Sequence, residues 1–204
     1  DKSKFHKYSN LQDTPKYVID YDAYRHDYYK KAGITVELQG NGLNDDIRRM
    51  CWSYLRMIYW VYLYYVVERP SWSQVYRYHY PPMMRDLVLF MEELGPSDIN
   101  TLHIFENDEP TMPFVQLLCV CPPTSSILLP PPLRTLMTDI DSALVQNGMY
   151  DMDFEMDKEG KLDHYSIALL SFADYNLVMQ SFIPIYNNLR NTYVRNSLGN
   201  TLIF

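Results

Sequence analysis

Cysteine is scarce in this 204-residue sequence, which contains three: Cys51, Cys119 and Cys121. A low and odd number argues against a disulfide framework and predicts a reducing, intracellular compartment, cytoplasmic or nuclear. Cys119 and Cys121 are one residue apart, but no second Cys or His pair stands at metal-ligand spacing, so packing is favoured over a metal site. No signal peptide is visible, and the first residue is Asp rather than Met. We therefore expect the natural product to begin upstream or to be processed.

Positive charge is also in short supply, with 18 Lys and Arg against 25 Asp and Glu and a net charge of −7. Free-standing nucleic-acid-binding proteins are usually basic. Any contact with a nucleic acid would therefore be local or completed by other protein. The charge-free run Met57–Val67 is much shorter than the roughly 20 residues that span a membrane, so no membrane partner is expected.

Aromatic residues, by contrast, are abundant, and many of them lie in residues 50–86. The run Met57–Val67 is apolar or aromatic on every side, which is typical of a helix buried on every side. We predict a core helix of about five turns, capped by Asn44 or Asp45 and ended by Pro70. It should be the most buried element, so that Ile58→Ala or Leu63→Ala would cost about 2–5 kcal/mol.

The rest of the sequence predicts a mainly α fold with one short strand or hairpin near 152–165. Residues 1–16 are polar, and residues 1–20 are expected to form a flexible lead-in to one domain over 21–204. Residues 96–113 are expected to be loop, and Pro130–Pro132 to be extended polyproline. Apolar spacing, capping acids and prolines predict further helices at Tyr21–Lys31, Met83–Leu94, Phe114–Val120, Leu133–Thr138 and Asp174–Tyr186.

Acidic residues occupy every second position from Asp151 to Glu159, which would place them on one side of a strand. A calcium loop of the EF-hand type needs Gly at its sixth position and Glu at its twelfth, and this segment does not supply both. A strand with a solvated acidic face is favoured over a cation site. Asp45-Asp46 and Glu92-Glu93 are adjacent pairs whose side chains diverge, so neither a metal site nor a catalytic residue is predicted in this chain.

The aromatic segment at residues 50–86 resembles a conserved segment of a known protein family. In order and spacing, its Trp, Tyr and His residues resemble the second conserved segment of the 5′→3′ exoribonuclease (Xrn) family, the helical half of that family's nuclease core. The matching residues are Tyr54-Leu55, Trp60-Val61, Leu63-Tyr64-Tyr65, Pro70-Ser71-Trp72-Ser73 and Tyr76-x-Tyr78-His79-Tyr80-x-Pro82. Weaker matches extend the resemblance from about Tyr21 to Phe204, with gaps at 38–46 and 96–110.

The resemblance implies both an activity and a division of labour. The family degrades RNA from a 5′-monophosphate end, and the carboxylates that hold its divalent metal, Mg²⁺, lie in the first conserved segment. That segment is N-terminal to the region matched here. The fold implied for this chain is thus the helical half of a larger α/β nuclease core. The implied partners are RNA and the N-terminal catalytic segment, in cis or in trans. Alone, the chain is expected to hold no cofactor and to cut no RNA.

The resemblance also implies where RNA would be contacted. The family motif Ser-Trp-Ser-Trp-Tyr-Tyr-Pro-Tyr-His-Tyr supplies an aromatic side chain beside the pocket, and Trp72 matches its first Trp. Gln74 stands where the motif has its second Trp, Val75 where it has Tyr, and Arg77 where it has Pro. Core packing is the alternative role for each aromatic residue. The candidates for RNA stacking or the pocket wall are Trp72, Arg77, Tyr78, His79 and Trp60.

Two functions remain in competition. The chain is either the helical part of an active exoribonuclease core in RNA degradation or processing, or a degenerate, inactive relative that serves as an RNA- or protein-binding scaffold. A third interpretation, an unrelated helical adaptor, would make the aromatic match a coincidence. An acidic cluster encoded upstream would separate the first two.

Overall fold

The computed structural model describes residues 20–36, 42–67, 70–106, 108–150, 154–158 and 162–189. These residues form eight α-helices and one two-stranded antiparallel sheet, which confirms the predicted mainly α fold with a hairpin. The chain divides into two compact units, residues 1–107 and 108–204. Apart from Asp20, the predicted lead-in at 1–20 lies outside the described residues, and the domain boundaries stay a prediction.

The first unit begins with two helices whose starts are fixed by side-chain caps. Asp20 accepts a hydrogen bond from the backbone N–H of Ala23 at 3.0 Å, and Asn44 accepts one from Ile47 at 2.8 Å. Both caps satisfy backbone donors that have no partner inside the helix. Asn44 is one of the two residues that the sequence predicted as the cap of α2. The helices of this unit are α1 (Tyr21–Lys31), α2 (Asp45–Val66), α3 (Met84–Glu93) and α4 (Pro96–Leu102).

Helix α4 corrects the expectation that residues 96–113 form a loop. Pro96 occupies the first position of α4, where its missing N–H would have had no partner in any case. Asp98 accepts a hydrogen bond from the backbone N–H of Gly95 at 2.9 Å, which closes the start of the helix. Pro96, which marks the end of α3 in the sequence pattern, is therefore also the first residue of α4.

The core of the first unit lies between α1, the first half of α2, and α3. Tyr29, Ile47, Met50 and Cys51 are fully buried there, and Phe90 of α3 packs against the same cluster. All the fully buried residues of α2 lie in its first half.

The prediction that Met57–Val67 is the most buried element is wrong. Ile58 is 50% exposed and Tyr65 is 79% exposed, while Leu63 is half-buried. A helix that is apolar all round is buried only where other polypeptide covers it, and the described residues cover this half of α2 only in part. Replacing Ile58 by Ala would leave no closed cavity, so the cost predicted for that substitution is too large.

The second unit packs three short helices against a long one. Helices α5 (Pro113–Val120), α6 (Pro131–Thr138) and α7 (Ala143–Gln146) all contact α8 (Tyr175–Leu189), and a 3-10 helix at Pro123–Leu128 precedes α6. As predicted, Asp174 caps α8 by accepting from the backbone N–H groups of Asn176 and Leu177. Pro131 and Pro132 lie in the first turn of α6, which corrects the expected polyproline. Among the described residues of this unit, the fully buried ones are Val115, Leu118, Leu133, Met137, Leu144, Val178 and Phe182.

The hairpin of the second unit pairs β1 (Glu155–Asp157) with β2 (Ile167–Leu169). The register places Glu155 opposite Leu169 and Asp157 opposite Ile167. Asp151, Asp153 and Glu159 of the alternating acidic segment lie outside the described residues. Across the described ranges, every helix is too short or too polar to cross a membrane.

Candidate nucleic-acid interface

The aromatic turn, Trp72–Tyr80, connects α2 to α3 without regular secondary structure of its own. Other aromatic side chains fix its backbone. The indole N–H of Trp60 donates to the carbonyl of Ser71 at 3.0 Å, just before the turn. The Tyr28 hydroxyl donates to the carbonyl of Pro81 at 2.8 Å, just after it. Inside the turn, the Tyr76 hydroxyl donates to the carbonyl of Tyr80 at 2.7 Å. The turn is therefore held at its entrance by α2 and at its exit by α1.

A buried ion pair lies behind the exit of the turn. Asp86 is 2% exposed and accepts from Nε of Arg25, which is 5% exposed, at 2.9 and 3.1 Å. The Tyr29 hydroxyl donates to Asp86 at 2.7 Å and accepts from the backbone N–H of Met83 at 3.0 Å. This network connects α1, the start of α3 and the last residues before α3. Sequence reasoning missed it because 61 residues separate the two charges, and no local pattern relates them.

Arg56 forms a second connection to the turn. It is the one charged residue in positions 50–67. Its guanidinium donates to the carbonyl of Ile104 at 2.9 Å and to Oε1 of Gln74 at 3.3 Å, and it lies 5.0 Å from the ring centre of Phe105. Arg56 thus contacts the aromatic turn and the segment after α4 at once. A lone charge in an apolar helix was the sequence signal for such a role.

The structure places four of the five predicted site residues in the aromatic turn. Trp72 is 45% exposed and Arg77 is exposed, while Tyr78 and His79 are half-buried. Trp60 lies on α2, half-buried, with its ring stacked on Tyr64 at 5.3 Å and 8°. Since its indole N–H bonds Ser71, Trp60 supports the turn from behind. Contact of any of the five with RNA stays a prediction.

Comparison with known proteins gives one consistent family. A family model described as "Xrn1 helical domain" matches residues 3–204. The chain belongs to this family. It is 36% identical over 184 residues to the 5′-3′ exoribonuclease 2 of Debaryomyces hansenii. It is 30% identical over 187 residues to the 5′-3′ exoribonuclease 1 of Saccharomyces cerevisiae, and 30% identical over 192 residues to that of Homo sapiens.

The match covers most of this chain and a small part of each relative. It takes in 89%, 90% and 92% of the chain, but 17%, 11% and 10% of the three relatives in the same order. The chain is therefore homologous to one region of much longer exoribonucleases. The resemblance derived from the aromatic motif is confirmed.

Three acids of the first unit, Asp45, Asp46 and Glu93, form ion pairs with arginines on the surface. Arg48 donates to Glu93 at 2.8 Å and to Asp45 at 3.3 Å, and Asp46 is paired with Arg49. In the part of the helical domain that the structure describes, no group of three or more His, Cys, Asp or Glu could hold a metal ion. The described residues therefore do not fit the Mg²⁺ that the family implies for the whole enzyme.

Three groups in the aromatic turn and in the core next to it have raised pKa values: Tyr29, Cys51 and Tyr76. Burial, and then the hydrogen bond to Asp86, raises the pKa of Tyr29 far above its ordinary value near 10. Burial also raises the pKa of Tyr76. Burial and the nearby Asp86 charge raise the pKa of Cys51 to about 12. The folded helical domain thus keeps three protons that the unfolded chain releases at lower pH.

The free energy of unfolding is expected to fall as the pH rises above about 9. Unfolded Cys and Tyr lose their protons near pH 8.5 and 10, while the folded groups retain theirs, so the stabilisation is complete below about pH 8.5 and is lost at higher pH. Urea unfolding at pH 7.5, 9 and 10.5 measures this loss. Tyr29→Phe should flatten the pH dependence, whereas Tyr65→Phe, at an exposed position, should keep the wild-type slope. A constant free energy of unfolding up to pH 10.5 would contradict the expectation.

Proposed function

We propose that this chain is the helical wall of a 5′→3′ exoribonuclease core acting in RNA degradation or processing, and that the aromatic turn contacts the RNA. The observation that supports this most directly is the setting of Trp72. Its large ring is 45% exposed, on a turn whose two ends are hydrogen-bonded to side chains of α1 and α2. A surface aromatic on a fixed backbone loses little conformational freedom when a base stacks on it.

Charge determines what else the site requires. Arg77 is exposed in the same turn and is suited to a phosphate, but the chain as a whole has a net charge of −7. Most of the neutralisation of an RNA backbone must therefore come from other polypeptide. In the proposal this is the N-terminal catalytic segment, in cis or in trans, which also holds Mg²⁺. An intracellular site of action, in cytoplasm or nucleus, completes the proposal and agrees with three cysteines that are all free thiols.

A degenerate, inactive scaffold that binds RNA or protein is the second candidate, and one residue favours it. Gln74 stands where the family motif has Trp. Its side-chain oxygen accepts from Arg56 at 3.3 Å. Residue 74 therefore forms a polar contact within the first unit, where the Trp of the family motif would offer a ring for stacking. If Gln74 replaces a ring that the chemistry needs, catalysis would be lost while binding remained.

Trp72→Ala is expected to slow 5′→3′ degradation roughly 5- to 150-fold, the equivalent of about 1–3 kcal/mol for one stacked base. The assay is nucleotide release from 5′-phosphorylated RNA by a hybrid protein. In this hybrid the chain replaces its matched region in the Debaryomyces hansenii relative. The controls are Lys158→Ala and Tyr165→Ala, two exposed positions of the second unit, which should leave the rate unchanged. Equal rates for wild type and a folded Trp72→Ala variant would assign Trp72 to packing.

A further inference from the structure

The segment after α4 holds the guanidinium of Arg56 in place. Nη2 of Arg56 donates to the carbonyl of Ile104 at 2.9 Å, and Cζ lies 5.0 Å from the ring centre of Phe105. The ring of Phe105 is in turn stacked on Tyr59 of α2, with the ring centres 6.3 Å apart and the planes 6° apart. Since Arg56 and Tyr59 both belong to α2, the helix and this segment fix the guanidinium together.

From this fixed position, Arg56 reaches the aromatic turn. Nη2 carries two hydrogens, so it also donates to Oε1 of Gln74, at 3.3 Å. Trp72 thus lies between two held residues. Ser71 precedes it, with its carbonyl bonded to the indole of Trp60, and Gln74 follows it, with its side chain bonded to Arg56. The backbone that carries the Trp72 ring is therefore restrained on both sides.

The contacts of Arg56 are those of a connector between neutral groups. In the described part of the chain it pairs with no carboxylate, and both of its acceptors are uncharged oxygens. A half-buried guanidinium without such bonds would destabilise the fold, because it gives up water and gains nothing in return. An apolar side chain at position 56 could pack on Phe105, but it could not bond the turn.

We propose that Arg56 is a positioning residue for RNA stacking, which holds Gln74 so that the Trp72 ring keeps the orientation in which a base stacks on it. The inference rests on the proposed function, since it requires Trp72 to contact RNA. Trp72 is 45% exposed, so packing fixes only part of its ring and the restraint on its backbone matters more. A small displacement of such a contact is enough to slow a reaction that depends on it.

Nucleotide release by the hybrid protein tests this role. Arg56→Met keeps the length of the side chain and removes its donors. It should lower the rate about 3- to 20-fold, and by no more than Trp72→Ala does, because Arg56 acts through that ring. Gln74→Leu removes the acceptor and leaves the charge of Arg56, and it should give the same loss. The double variant Arg56→Met with Trp72→Ala should be no slower than Trp72→Ala alone.

The matched control is Arg134→Met in the second unit. Arg134 is also half-buried, and its guanidinium also donates to two uncharged oxygens, the carbonyls of Leu129 at 2.8 Å and Ile127 at 3.3 Å. Its replacement removes comparable contacts away from the turn and should leave the rate unchanged. All rates are measured well below the Tm of each variant, so that only folded protein is compared.

A fluorescence measurement reports the stacking without any cleavage. The probe is a 5′-phosphorylated RNA with 2-aminopurine near its 5′ end, bound to the hybrid in the presence of a chelator. Stacking on an indole ring quenches 2-aminopurine. Quenching should be lost in Trp72→Ala, reduced in Arg56→Met and Gln74→Leu, and unchanged in Arg134→Met.

Several results would overturn the positioning role. Wild-type rate and quenching in Arg56→Met would contradict it and leave the proposed function intact. A slow Arg56→Met beside an unchanged Gln74→Leu would assign the loss to the charge of Arg56. Multiplied losses in the double variant with Trp72→Ala would show that Arg56 acts independently of that ring. If Arg56→Met does not fold, Gln74→Leu decides, because it removes the same bond from the turn.

The two readouts separate this inference from the proposed function. A hybrid that releases no nucleotides, but whose quenching falls in both Trp72→Ala and Arg56→Met, would support the positioning role and contradict the nuclease proposal. A wild-type hybrid that binds the RNA without quenching would contradict both the stacking on Trp72 and the role of Arg56.

Discussion

The isolated chain is expected to release no nucleotides from 5′-phosphorylated RNA with Mg²⁺, whereas the hybrid protein should degrade the same RNA from its 5′ end. Metal-dependent phosphodiester hydrolysis needs carboxylates that converge on the metal ions. In the first unit Asp45, Asp46 and Glu93 are instead paired with arginines on helix surfaces. The resemblance implies that the converging carboxylates lie in the N-terminal segment, which the hybrid contains.

The assay compares nucleotide release by the isolated chain, the hybrid and the unmodified relative, each with Mg²⁺ and with a chelator. Metal-dependent release by the isolated chain, abolished by changing its own acids, would contradict the division of labour. A folded hybrid that remains inactive while the unmodified relative degrades the RNA would favour the degenerate scaffold. Gln74→Trp, which restores the residue of the family motif, would then be the first variant to test.

Replacing Asp86 by Ala is expected to lower the free energy of unfolding by about 3–5 kcal/mol. Asp86 is 2% exposed and accepts three hydrogen bonds, two from Arg25 and one from Tyr29. Its removal leaves the Arg25 guanidinium buried without its carboxylate and the Tyr29 hydroxyl without its acceptor. An unpaired buried charge cannot recover its hydration, so the loss is much larger than for a pair on the surface.

Urea unfolding of a matched set of variants measures this loss. Glu93→Ala removes a carboxylate from the exposed pair with Arg48 and should cost far less, because water screens that pair. The double variant Arg25→Met with Asp86→Leu should lose less than the sum of the two single changes, since no charge is then left buried. A loss below about 1 kcal/mol for Asp86→Ala would show that the ion pair is not closed in solution.

Local chemistry determined the helix boundaries that the sequence predicted correctly. Asp20 and Asn44 cap α1 and α2 through bonds to backbone N–H groups three residues later, so the information lies within one turn. Asp174 does the same for α8. Pro96, Pro131 and Pro132 show the limit of that information. A proline can end one helix or begin the next, and the following residues decide which.

The family was also determined by the sequence alone. The order of Trp, Tyr and His from Tyr54 to Pro82 was sufficient to identify the exoribonuclease family, because many side chains of rare types had to recur at fixed spacing. The role of each residue within that motif did not follow from the same pattern. Trp60 in the predicted helix and Trp72 after Pro70 were both candidates for RNA contact. Only the structure shows that Trp60 supports the turn through Ser71 while Trp72 is exposed.

Tertiary structure alone decided what is buried. The pairing of Arg25 with Asp86 joins residues 61 positions apart, and no periodicity in the sequence relates two side chains at that distance. The exposure of Ile58 and Tyr65 is the opposite case: the apolar pattern predicted that they are buried, and this prediction was wrong. Hydrophobic periodicity shows which apolar residues share a face of a helix, whereas the burial of a given residue depends on which polypeptide packs against it.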